Sequence, residues 1–272
     1  MIHLNANVDR FSGTGYANTY EKYRPQPPSV VIDILTQLAQ VNRPRLVVDL
    51  GSGTGLSTRM WADRADVVIG IEPSADMRRI AQAQTAAMPN AEHVRYQAGY
   101  SHETDLIDEC ADIVTCSQSL HWMEPTSTFA EVARILRPGR VFAAIDCDWP
   151  PTMNWQAEDA YIRLDEECEK IGESRGFYRG VKQWDKEGHL ARMQSSGKFR
   201  YVKEIVAHHT EMGNAERLVG LLLSQGGVAG LLKNGMTEEE IGVPEFRALA
   251  QRTLGDELSP WYFSYRVRLS IK

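Results

Sequence analysis

Residues 47–55 read Val-Val-Asp-Leu-Gly-Ser-Gly-Thr-Gly. Val47, Val48 and Leu50 form the short apolar run that a buried strand requires. Gly51, Gly53 and Gly55 follow at once, and a helical pattern over 54–65 begins behind them. A strand that runs into a glycine turn and then a helix lets a ligand lie on bare backbone, because no side chain holds it off.

The spacing narrows the ligand. A dinucleotide turn needs its third glycine at position 56, and Leu56 stands there, so the pattern is G-x-G-x-G rather than G-x-G-x-x-G. Asp49 precedes Gly51 by two residues. An acid there repels a pyrophosphate and attracts a cationic amino-acid group. Glu72 closes a second apolar run, Val67–Ile71, about 20 residues past the first glycine, the offset at which an acid bonds ribose hydroxyls. Ribose joined to a cationic amino acid describes S-adenosylmethionine (SAM). An NAD-dependent oxidoreductase is the reading from another class; the missing glycine and Asp49 speak against it. A non-catalytic SAM-binding protein is a third reading.

Four segments stand in order: 47–55, 70–74 (Gly-Ile-Glu-Pro-Ser), 111–122 (Ala-Asp-Ile-Val-Thr-Cys-Ser-Gln-Ser-Leu-His-Trp) and 135–139 (Ile-Leu-Arg-Pro-Gly). They resemble the motifs of class I SAM-dependent methyltransferases, in the small-molecule "type 11" branch. Tyr20-x-x-Tyr23-Arg24-Pro25 resembles the opening of the trans-aconitate methyltransferase-like members. The resemblance covers 16–146. It implies an α/β fold: a Rossmann-like, doubly wound sheet, mostly parallel with an antiparallel C-terminal edge strand, carrying helical lid insertions. It implies SAM as cofactor and S-adenosylhomocysteine as product. It places Gly51, Ser52, Gly53 and Gly55 under the donor and Asp49 at its amino-acid end. Glu72, Pro73, Ser74 and Met77 fall on the ribose side, and Ser101-His102 in the adenine loop, where many relatives carry an acidic pair instead. Tyr20 and Arg24 fall in a lid near the methionine carboxylate, or else pack a surface helix on the core.

Ligands in open α/β sheets bind beyond the carboxyl ends of the strands. Ser117 and Gln118, after the fourth strand, therefore face the cleft. The Asn/Asp-Pro-Pro-aromatic motif of DNA and protein amide methyltransferases is absent there; Asp148-Trp149-Pro150-Pro151 matches its letters but follows the fifth strand. His121 is either a general base or a structural residue on the cofactor side. Asp146 and Asp148 end the fifth strand, where either binds or deprotonates an acceptor, or caps a loop. Displacement at a sulfonium expels a neutral leaving group and needs no acid. Alignment supplies much of the rate, and a base is needed only for a protonated acceptor of high pKa. A carboxyl acceptor is the second substrate reading, with Arg175, Arg179, Lys182, Arg266 and Arg268 available to an anion.

Composition bounds the partners. The 272 residues carry a net charge of −6, with 43% hydrophobic and 24% charged positions. No basic stripe interleaves with aromatics, so a small-molecule acceptor is expected and nucleic acid is not. Cys110, Cys116, Cys147 and Cys168 form no C-x-x-C pair, so no metal site is expected. The longest apolar stretch, 219–232, is broken by Ser224, Gln225 and glycines, too short to span a membrane. His3, Asp9 and Arg10 interrupt the start of the chain, where a secretory signal would be apolar. A cytoplasmic protein is expected; its oligomeric state stays open.

Strand and helix alternate through the middle of the chain. The patterns predict a helix after Ser29, strands at 46–50, 67–71, 93–97, 112–116 and 140–146, and a helix over 126–137 stopped by Pro138-Gly139. The organisation reads as a cap at 1–43, a SAM-binding core at 44–148, a lid insertion at 149–198 and a final part at 199–272. That last part holds edge strands at 199–208 and 261–271 around a helical insertion at 214–254.

Overall fold

The apolar run Leu46–Leu50 forms a strand whose last four residues are all buried, and the sheet grows outward from it. The computed structural model describes residues 6–9 and 15–272; His3 and Arg10, used above, lie outside these. In chain order the elements are α1 (Tyr16–Tyr23), α2 (Val30–Leu38), β1 (Leu46–Leu50), β2 (Val67–Ile71), α3 (Ala75–Ala86), β3 (Val94–Gln97), β4 (Ala111–Ser117), α4 (Pro125–Ile135), β5 (Leu136–Cys147), α5 (Trp155–Ser174), α6 (His189–Ser195), β6 (Tyr201–Gly213), α7 (Ala215–Leu223), α8 (Gly226–Lys233), α9 (Glu238–Ile241), α10 (Val243–Leu254) and β7 (Ser259–Ile271).

Seven strands make one sheet in the order β3-β2-β1-β4-β5-β7-β6. The first five pair in parallel, and β7 runs antiparallel to β5. This is the Rossmann-like methyltransferase architecture that the motifs imply. The order reverses between β1 and β4, and a crevice opens at such a switch point. Register sets what lines it: Asp49 stands level with Gly70 on β2 and with Thr115 on β4.

The chain divides into two units. One holds the sheet core, with residues 26–147, 183–207 and 265–272. Its apolar centre includes Val48, Leu50, Ile71, Val114, Phe129, Phe142 and Phe199. The three phenylalanine rings meet at 5.6 to 6.0 Å between centroids, close enough to add to the roughly 2–3 kcal/mol that each gains by burial. Two caps fix the helices over the crevice. Ser74 caps α3 by accepting from the Met77 amide. Glu124 caps α4 by accepting from the Thr126 and Ser127 amides, with Pro125 pre-set at the first turn.

The other unit holds residues up to Pro25, 148–182 and 208–264. Its helices pack through Tyr161 against Phe246 and through Tyr23 against Gly220, and a Thr237–Glu240 capping box starts α9. Among the described residues no helix is long and apolar enough to cross a membrane.

Three boundaries depart from the sequence reading. The helix expected over 54–65 is reduced to a 3-10 turn at Thr58–Trp61. Gly55 takes a left-handed backbone, and the hydroxyls of Ser57 and Thr58 bond Asp49, so those residues serve the turn rather than a regular helix. The helix over 126–137 ends at Ile135, because β5 already starts at Leu136. Pro138-Gly139 therefore lies inside β5, where Gly139 has φ of 77° and the register to β4 shifts between Ala111 and Ile113. Proline and glycine are tolerated at such an irregularity. The edge strands run longer than expected, with β6 reaching Gly213 and β7 starting at Ser259.

Candidate functional site

The glycine turn closes on the end of β2. The Gly51 and Ser52 amides both donate to the Ile71 carbonyl, at 2.8 and 3.1 Å. All three glycines have positive φ, yet each is glycine for its own reason. A Cβ on Gly51 would lie 2.7 Å from Met123 Cε and from Ser119 Cβ. One on Gly55 would lie 2.3 Å from the Tyr96 hydroxyl. A Cβ on Gly53 would meet nothing within 4 Å, so on that side the backbone borders open space. Ser119 holds the far wall by donating to the Leu50 carbonyl at 2.7 Å.

Glu72 closes the cradle from β2. One carboxylate oxygen accepts from the Gly53 amide at 2.9 Å and the other from the Ser74 amide at 2.8 Å. Burial raises its pKa above the usual carboxylate range, against the pull of those two amides and of Arg78. Each oxygen keeps a lone pair for a further donor, which suits a vicinal diol. Ser52 Oγ and Thr54 Oγ1 are buried with no hydrogen-bond partner. Open backbone, a two-pronged acid and orphaned hydroxyls together fit the ribose and amino-acid parts of SAM.

Asp49 does something other than expected. Its carboxylate is fully buried and accepts from Ser57, Thr58 and Thr115 hydroxyls at 2.7, 2.6 and 2.8 Å. Most of its acceptor capacity goes to side chains, so it shapes the turn from behind. Desolvation raises its pKa despite the three hydroxyls.

The other expected contacts sort as follows. Ser74 caps α3, Met77 is buried on that helix and Pro73 is half-buried. Ser101 is buried and shares a hydrogen bond with Thr128 at 2.8 Å, while His102 is half-buried beside Tyr100. Ser117 ends β4 half-buried, and Gln118 turns the chain with φ of 54°. Tyr20 and Arg24 belong to the helical unit. There Arg24 donates to Ser224 Oγ, the Ser224 carbonyl and Gln225 Oε1 at 2.7 to 2.8 Å and lies over the Tyr20 and Trp149 rings.

A buried polar cluster forms beyond β4 and β5. His121 sits in a 3-10 turn (Leu120–Trp122), Asp146 near the end of β5, and His189 opens α6; all three are at most 5% exposed. His121 Nδ1 lies 3.7 Å from Asp146 Oδ1, and Lys186 Nζ lies 3.7 Å from the same oxygen. Arg268 bonds the other oxygen at 2.7 Å and pairs with Glu204 at 2.7 Å. Lys186 also donates to Gln118 Oε1 at 3.0 Å. Burial alone would raise the Asp146 pKa, but the neighbouring His121 ring and the charge of Lys186 outweigh it and hold it at about 2. Burial lowers His189 to about 4, against the pull of Asp146.

Lys186, His189 and Arg192 escaped the sequence reading, because 183–195 carries no motif and reads as lid. Arg268, expected to be free for an anion, is committed to Asp146 and Glu204. Arg175, Arg179, Lys182 and Arg266 are exposed.

One ring nitrogen from each of His121 and His189 and an Asp146 oxygen lie within 4.8 Å of one another. Two histidines and a carboxylate can ligate a metal, but the surroundings do not fit one. Arg192 Nη2 lies 2.8 Å from His189 Nδ1. A guanidinium only donates, so Nδ1 accepts and the neutral ring carries its proton on Nε2. Metal-bound histidines do the reverse and donate their second nitrogen to an acceptor. Lys186 and Arg268 already bring two positive charges to the carboxylate.

With fold and cradle defined, comparison with known proteins shows what the chain is similar to. Residues 48–144 match the family described as a methyltransferase domain. An uncharacterized methyltransferase of Mycobacterium tuberculosis (H37Rv) is 37% identical over 123 residues, covering 44% of this chain and 45% of that protein; the chain spans about half the length of such relatives. Among solved structures, a type II methyltransferase candidate from Anaeromyxobacter dehalogenans aligns with a TM-score of 0.63 at 18% identity, covering 91% of this chain and 97% of that one. Haemonchus contortus phosphoethanolamine N-methyltransferase 2, solved with phosphomonomethylethanolamine and S-adenosylhomocysteine, aligns with a TM-score of 0.58 at 15% identity over 97% of this chain and 60% of its own. These two share the fold. Over residues 48–144 the chain is thus similar to methyltransferase domains, and the sheet around that stretch has the same fold.

Proposed function

We propose that the protein is a SAM-dependent methyltransferase acting on a small-molecule acceptor. The observation that carries this reading is the Gly53–Glu72 pair: bare backbone facing open space, its amide held by an acid that keeps lone pairs for a diol. Bound there, SAM would supply an activated methyl group on a positively charged sulfur. The chain would hold the ribose with Glu72 and leave room for the donor at Gly53. Alignment and exclusion of water carry most of such a reaction.

The acceptor side falls at the polar cluster beyond β4 and β5. His121, oriented by Asp146, can take a proton from a protonated acceptor. The trans-aconitate-like reading drawn from Tyr20–Pro25 has less support. Arg268 is occupied, and the Asp146 charge at this position repels a carboxylate.

Calorimetry with SAM and with S-adenosylhomocysteine tests the reading. Micromolar binding of both is expected. The absence of heat and of any thermal shift with either ligand overturns it.

A further inference from the structure

Asp146 and His189 leave over two buried atoms of opposite kind. Asp146 Oδ1 and His189 Nε2 are both buried without a hydrogen-bond partner. Arg192 settles the character of the second: with Nδ1 accepting from the guanidinium, Nε2 carries the proton and can only donate. Asp146 is ionised, so Oδ1 can only accept. A buried orphan donor and a buried orphan acceptor each leave their loss of hydration uncompensated, and a ligand that answers both would relieve it.

Chemistry separates the groups that could do so. An oxygen that accepts one hydrogen bond and donates another, each of about 2.7–2.9 Å, answers both kinds of atom where one ring nitrogen of His189 and an Asp146 oxygen lie within 4.8 Å of one another. A hydroxyl is the smallest ligand group that accepts and donates at one atom. A carboxylate would face the Asp146 charge. An ammonium would face Lys186 and the His189 N–H. Gln118 Nε2 is a further buried donor without a partner, on the side chain that Lys186 holds through Oε1.

We propose that this pair is the acceptor subsite, and that the acceptor is an alcohol or phenol whose hydroxyl accepts from His189 Nε2–H and donates toward the Asp146–His121 pair. The proposal rests on the methyltransferase reading and names the attacking atom within it. The step balances. The O–CH3 bond forms as the S–CH3 bond breaks, sulfur keeps the bonding electrons and leaves neutral, and the hydroxyl proton passes to His121. The Asp146 charge, 3.7 Å from Nδ1, stabilises the imidazolium that results. The groups around His121 are Asp146 from β5 and His189 from α6; Lys186, just before α6, and Arg268 from β7 act through Asp146.

Transfer of a tritiated methyl group from SAM tests it. The acceptor panel is small phenols and secondary alcohols, beside carboxylic acids, amines and thiols of matched skeleton. Calorimetry first establishes SAM binding; its absence overturns the methyltransferase reading itself. Given binding, label on a hydroxyl oxygen is expected. His189→Leu is expected to lower kcat/KM for that acceptor roughly 10²-fold with unchanged SAM affinity. His189→Gln keeps a side-chain N–H and is expected to recover most of the loss, which separates hydrogen bonding from packing. Label only on carboxylates, amines or thiols overturns the proposal. So does no transfer to any hydroxyl compound while SAM binds, or equal loss in the Leu and Gln variants.

Discussion

Glu72 and Gly53 are joined by one hydrogen bond of 2.9 Å from the glycine amide to the carboxylate. That bond ties the end of β2 to the middle of the glycine turn and leaves the acid lone pairs for the proposed ligand. Glu72→Ala is therefore expected to weaken SAM binding by about tenfold or more, since charge-assisted hydrogen bonds are worth about 1.5–3 kcal/mol. Glu72→Gln retains one acceptor oxygen and should fall between. Unchanged affinity in the alanine variant by calorimetry would remove the ribose assignment.

Gly53 and Gly55 should part company under substitution. Gly55→Ala puts a methyl against the Tyr96 hydroxyl in a left-handed backbone, a combination worth about 3 kcal/mol in urea denaturation. Gly53→Ala meets nothing and should cost only about 1 kcal/mol, while its methyl occupies the ligand's space and SAM affinity falls. Equal destabilisation of the two variants would contradict the division of roles.

Asp49→Ala should be costly without any ligand. It strands the hydroxyls of Ser57, Thr58 and Thr115 around a buried gap, at about 3 kcal/mol or more by the usual cost of unsatisfied buried groups. A thermal melt of the ligand-free variant checks this. A melt equal to that of the unaltered protein would return Asp49 to a direct ligand role.

The acid limb of stability should have two stages. His189 is lowered from 6.5 to about 4, so the unfolded chain binds more protons between these values. Its contribution is complete above pH 6.5 and is lost as pH falls toward 4, by up to roughly 3 kcal/mol. Asp146 is lowered from 3.8 to about 2, so its contribution holds above pH 4 and is lost below. Urea titrations from pH 7 to pH 3 should show the first stage in the unaltered protein and a flatter course in His189→Gln. Stability that is level between pH 6.5 and 4 would contradict a neutral buried His189.

The half of the site proposed to hold the cofactor was legible as geometry because its parts are local. Asp49, the glycines and Glu72 lie at strand ends whose apolar runs announce them, and parallel register then brings the ends together without further information. The hydrogen bonds of Asp49 were not legible because its partners are hydroxyls on the following turn and on β4, which no spacing rule connects to it. The polar cluster proposed for the acceptor was half legible. His121 and Asp146 follow strands, but His189 and Lys186 lie in a stretch without periodicity, and only tertiary packing sets them against β5. Helix ends failed where backbone demand outranked propensity, as at Gly55, and where Pro138-Gly139, a stop signal in most chains, was absorbed by an irregular strand.

The three glycines of 51–55 answer to different neighbours, and this bears on how drift would act on the motif. Replacement at 51 or 55 collides with Met123, Ser119 or Tyr96 and is removed with the fold. Position 53 alone is free to vary while the protein still folds, at the expense of its ligand. Among descendants of this chain, a pseudoenzyme would therefore betray itself first at residue 53, behind an otherwise intact architecture.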